Sequence, residues 1–79
     1  TRAARADSAP ALRLNLVAAL AAAGEPAGAL AAARALVAEH PGRADGWVAV
    51  GRLLARLGRP TEARAAFGRA LDLTPDDAA

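Results

Sequence analysis

Two short stops, Gly24-Glu25-Pro26 and Gly58-Arg59-Pro60, stand 34 residues apart in a chain of 79. That spacing constrains the fold more than any other feature. Laying residues 10–43 over 44–77 also brings Leu20 onto Leu54, Ala29 onto Ala63 and Pro41 onto Pro75. Matching alanines mean little in so alanine-rich a chain. Glycines and prolines in register mean more, because each has a backbone reason to be there. Glycine accepts the left-handed conformation that closes a helix. Proline suits the first helical position, where no backbone donor is needed. Each Gly-x-Pro therefore ends one helix and starts the next.

Helical spacing of apolar residues fills in the elements between these stops. Leu12, Leu16, Val17 and Leu20 form one stripe, and Leu30, Ala33, Leu36 and Val37 a second, closed by Pro41-Gly42. Trp47, Val50, Leu54 and Leu57 form a third, with Asp45 as its N-cap. Ala63, Phe67, Ala70 and Leu71 form the fourth, stopped by Thr74-Pro75. Four helices are predicted near 10–23, 26–39, 44–57 and 60–73. Short loops make neighbours antiparallel hairpins. Residues 1–9 read as an N-terminal extension, disordered or the tail of a preceding repeat. The chain begins at Thr1 rather than methionine and reads as a piece of something longer.

Composition agrees with an all-α fold. The hydrophobic fraction is 54%, much of it alanine, and aromatic content is 3%, namely Trp47 and Phe67. The net charge is +2 although the pI is about 11.0. All ten basic residues are arginine, and the chain has no lysine, tyrosine or cysteine to titrate at moderately high pH, so the high pI carries no nucleic-acid signal. A basic stripe would, but these arginines are interspersed with acids. The alanine and arginine bias is associated with GC-rich bacterial genomes. Lack of cysteine permits a reducing cytoplasm, the expected location, and excludes disulfides. With His40 as the sole histidine, the usual zinc sites are excluded too. The apolar run at Ala18–Ala23 is far short of a membrane span of about 20 residues.

The second repeat resembles the tetratricopeptide repeat. That family's pattern is W-x2-L-G-x2-Y, then A-x3-F, then P. Here stand Trp47, Val50-Gly51 and Leu54, followed by Ala63, Phe67 and Pro75. The first repeat keeps Leu16, Leu20, Ala29 and Pro41. It departs at Arg13, Val17 and Ala33, which stand where Trp47, Gly51 and Phe67 stand in the second. The resemblance covers Pro10 to Asp77. It implies two hairpins stacked as a right-handed solenoid fragment, with small residues at close approaches and the two rings filling the hairpin interior.

No catalytic constellation can be assembled, and no enzyme activity, cofactor or metal is expected. Ser8, the only serine, reads as a helix cap or part of a disordered segment, and His40 as a solvated turn residue before Pro41. Asp76 and Asp77 read as a solvated tail, Glu25 and Glu39 as surface. Gly24, Gly28, Gly42 and Gly46 make no phosphate loop, since its lysine is missing. The resemblance implies a protein-interaction module that holds a peptide or partner helix in a concave groove lined by the first helix of each repeat. The expected contacts are Asn15, whose amide can donate to and accept from an extended backbone, with Val48, Arg52 and Arg56. The two arginines, one turn apart, suit an acidic partner. The family's lysine clamp for a C-terminal carboxylate has no counterpart. Arg52, Arg56 and Arg59 read alternatively as a solvated face or a phosphate patch. The other class of function is structural: a segment that packs on a neighbouring domain or another copy and takes no separate ligand. Self-association, or a place in a longer array, is expected because roughly three or more stacked repeats are needed for stability. Leu71 and Leu73 would otherwise end the last helix uncovered.

Overall fold

A computed structural model describes the backbone of residues 2–74 and the side chains of residues 11–74. Pro75, Asp76 and Asp77, and the side chain of Ser8, lie outside the described residues. Four helices run α1 Arg2–Ala22, α2 Pro26–Glu39, α3 Ala44–Arg56 and α4 Pro60–Leu73. The described residues contain no strand. Three of the four helices begin at the expected residue. α1 begins eight residues before the expected Pro10. Pro10 supplies no N–H there, so the extension joins the repeat with one backbone bond fewer.

The two Gly-x-Pro stops share one geometry. Gly24 and Gly58 have φ of +81° and +77°. In the first, the Gly24 N–H donates to Ala21 O at 3.1 Å and the Glu25 N–H to Leu20 O at 2.9 Å. In the second, Gly58 donates to Ala55 O at 3.1 Å and Arg59 to Leu54 O at 2.9 Å. This pair of bonds satisfies carbonyls that the helix end would leave open. Pro26 and Pro60 then open the next helices. The third junction is different. Arg43 is the N-cap of α3, and Asp45 lies inside its first turn rather than capping it. From there Asp45 accepts two hydrogen bonds from Arg43, one from Nε at 3.1 Å and one from Nη2.

The chain forms a slab 19 Å thick, two helices deep. α1 and α3 make one layer, α2 and α4 the other, and α3 joins the repeats by packing on α2. Leu36, Ala29 and Ala33 are fully buried. The pairing of a small with a large residue at the hairpin interior is inverted between repeats. A β-carbon at Gly51 would lie 2.7 Å from the Phe67 ring. In the first repeat the same two positions hold Val17 and Ala33, both buried. The bulk sits on the second helix in one hairpin and on the first in the other.

Three residues assigned to core stripes are not in the core. Leu12 is 59% exposed, Leu16 52% and Leu71 68%. Their repeat-related positions, Gly46, Val50 and Val37, are buried because α2 and α3 cover one another. Among the described residues nothing packs on the far sides of α1 and α4. The core side of α1 runs instead through Val17, with Leu20 and Ala21 packed against it.

Candidate binding surfaces

Between α1 and α3 lies a hollow of about 370 Å3, within the size range of ligand sites. α1 lines it with Leu14, Val17, Ala18 and Ala21, and α3 with Ala49, Arg52, Leu53 and Arg56. These positions recur at three- and four-residue intervals, so each helix contributes one continuous face. Val17 and Leu53 are buried and make an apolar floor, while Arg52 and Arg56 stand exposed at the rim. Arg56 Nη1 donates to the Ala21 carbonyl at 3.4 Å, near the end of α1. A cation there also meets the negative end of the helix dipole.

The charges elsewhere are largely paired. Arg13 meets Glu39 at 2.9 Å, Arg34 and Arg59 both reach Glu62 at 3.6 Å, and Arg43 meets Asp45. No described carboxylate pairs with Arg52 or Arg56. The groove rim is therefore a local positive charge without a counterion among the described residues. Arg59 does not join it, because it turns to Glu62. Hydrogen bonding to Arg43 holds the Asp45 carboxyl below its ordinary range, outweighing the opposing effect of partial burial.

The structure thus brings Arg52 and Arg56 together. It does not place Asn15 or Val48 among the lining residues. Asn15 is exposed on α1, one turn before Ala18, and Val48 is half-buried on α3 beside Ala49. Leu53 was absent from the sequence expectation. Its signal was available: it stands one residue after Arg52 and four after Ala49, on the same helix face.

A larger hollow of about 540 Å3 opens between α2 and α4. Trp47, Val50 and Leu54 of α3 line it, with Arg34 and Glu62 at its border. Trp47 is half-buried, and its indole N–H donates to Pro41 O at 3.0 Å. The Arg69 guanidinium lies 5.7 Å from the ring centre, within cation–π range. The ring is thus more open than a hairpin-interior role requires. The Arg34–Glu62 pair leaves this hollow with less unpartnered charge than the groove. No group of three or more potential metal ligands gathers among the described residues. No described helix is long and apolar enough to cross a membrane.

The sequence profile of the tetratricopeptide repeat family matches residues 14–78. Most of the chain is covered, both hairpins included, and the chain belongs to that family. No curated protein and no solved structure matches it. The family is one of protein-interaction scaffolds, built from repeats that are typically non-catalytic.

Proposed function

We propose that the groove between α1 and α3 seats an acidic peptide or partner helix, with Arg52 and Arg56 as its electrostatic anchors and Asn15 and Val48 at its margin. The observation that carries this is the pair of rim arginines, exposed over an apolar floor and without a described carboxylate partner. Val17 and Leu53 offer contact to an apolar side chain, and the guanidinium groups offer charge-assisted hydrogen bonds to a neighbouring carboxylate. A planar guanidinium suits that geometry better than a lysine ammonium. Arg56 spends one donor on Ala21 and keeps the rest.

The test uses fluorescent helical peptides with identical apolar faces, one series carrying glutamates and the other lysines. The acidic series is expected to bind. Arg52→Ala should weaken it about tenfold, the equivalent of one charge-assisted bond of about 1.5 kcal/mol. Asn15→Ala should weaken it less, with helicity unchanged in both. If both variants bind normally while Arg34→Ala and Arg64→Ala on the other layer abolish binding, the groove is the wrong surface. Single-stranded DNA is the control ligand; tight binding with a steep salt dependence would favour nucleic acid instead.

A further inference from the structure

The shift of 34 residues that relates the repeats also relates the surfaces they leave open. At the joint between repeats, α3 comes close to α2. A β-carbon at Gly46 would lie 3.0 Å from Val37 Cγ1 and 3.3 Å from Leu36 Cδ2. Leu36, Val37 and Val50 are buried there. One repeat later, Leu36 and Val37 become Ala70 and Leu71 of α4. One repeat earlier, Gly46 and Val50 become Leu12 and Leu16 of α1. Among the described residues, Leu12, Leu16 and Leu71 are the large apolar ones left more than half exposed. Each occupies a position that is covered at the internal joint.

These two outer faces suit each other. Leu36 against Gly46 becomes Ala70 opposite Leu12, so the bulk changes sides and this pair grows by only about a methyl group. Cores tolerate such volume-conserving exchange. Val37 and Val50 become Leu71 and Leu16. Ala38 and Trp47, which line the same hollow, become Asp72 and Arg13, an opposite-charge pair. Arg13 is already held by Glu39 at 2.9 Å and is part-exposed, so a second carboxylate has access to it. A symmetric pairing of two α1 faces would instead bring together two Arg13 side chains, and one of two α4 faces two Asp72 side chains.

We propose that this chain associates head to tail with a second copy, α4 of one seating on α1 of the next in the register of the α2–α3 joint. Such a joint uses two unlike faces, so each added copy leaves one face open at either end and the assembly grows. It is independent of the groove, because Leu12, Leu16, Leu71 and Asp72 do not line it.

Sedimentation equilibrium of the 79-residue chain tests this. The weight-average mass of the wild type should rise with concentration past that of a dimer. Leu16→Glu and Leu71→Glu should each be monomeric, with unchanged ellipticity at about 222 nm, since both side chains are already exposed. Mixed one to one, they should form a dimer that grows no further, because each variant keeps the face the other has lost. Asp72→Arg should weaken wild-type association a few-fold, the scale of an exposed ion pair. A wild type that stays monomeric at about 1 mM, the limit of weak affinity, overturns the proposal. So does either glutamate variant associating alone, or a mixture that stays monomeric.

Discussion

The inverted pair at the hairpin interiors yields a quantitative test of how the two repeats hold the same shape. In the second repeat Phe67 lies on Gly51; in the first, Ala33 stands at the ring's position and Val17 at the glycine's. Gly51→Val by itself puts a β-carbon 2.7 Å from Phe67 Cε1 and 2.9 Å from Cδ1, with two methyl groups beyond it. Overpacking of this kind costs about 1–3 kcal/mol. Relief of glycine's low helix propensity returns only a few tenths of that. Phe67→Ala by itself leaves a void. Full burial of the ring would make the loss about 3–5 kcal/mol. Phe67 is only half-buried, which moves the expectation to about 2–3 kcal/mol.

Independent effects would sum to roughly 3–6 kcal/mol, enough to unfold most domains of this size. The two positions share one space, however, and the valine methyls enter the volume the ring vacates. The double variant should be no less stable than Phe67→Ala alone, a coupling of about 1–3 kcal/mol. Urea unfolding followed by ellipticity measures the cycle, at low protein concentration so that association does not add to stability. An excluded osmolyte keeps the weakest variant folded. Costs that add to within about 0.5 kcal/mol would refute the shared-space account.

Two further outcomes follow from the backbone and charge of the junctions. Gly24→Ala and Gly58→Ala should each cost about 1–2 kcal/mol, because a β-carbon is strained at positive φ. Gly68→Ala, in open space on α4, should instead stabilise by about 0.5–1 kcal/mol; equal melting shifts for all three would contradict this. Asp45 should contribute stability above the ordinary carboxylate range and lose it as the pH falls through and below that range. Its folded-state pKa is lowered by Arg43, so the unfolded chain takes up the proton first. Asp45→Asn should flatten that part of the acid profile, measured as melting temperature between about pH 7 and about pH 3; identical profiles would remove the pair from consideration.

Which parts of this molecule were legible in its residues depends on whether the physical cause is local. Gly24, Gly58, Pro26 and Pro60 act through their own backbones, and the predicted hairpin breaks fall at these residues. Leu30 and Leu54 sit inside a hairpin whose two halves are close in sequence, and they are buried as expected. Leu12, Leu16 and Leu71 have the same helical spacing and the same apolar chemistry, yet they are exposed. Periodicity reports which face of a helix is apolar; whether that face is covered depends on what stands beside it. Val17 and Ala33 were unreadable for a related reason. Compared one by one with Gly51 and Phe67 they look like losses of the pattern, whereas compared as a pair they keep its bulk on the opposite helix.

The groove shows the same division between local and distributed causes. The four-residue spacing of Arg52 and Arg56 puts them on one face, and that much was visible. Their lack of a counterion among the described residues is a property of the wider charge distribution. Glu39 goes to Arg13, Glu62 to Arg34 and Arg59, and Asp45 to Arg43. Each of these pairings depends on a helix end or a repeat boundary bringing the partners together. Three of the described acids are engaged at the junctions between elements, and two of the cations without a described carboxylate partner, Arg52 and Arg56, stand together in the second half of α3, above an apolar floor. A positive groove on a chain of net charge +2 therefore comes from where the acids are engaged rather than from an excess of base. Reversing Glu39 or Glu62 should disturb the junctions and leave the rim unchanged, whereas reversing Arg52 should alter the rim and leave the junctions intact.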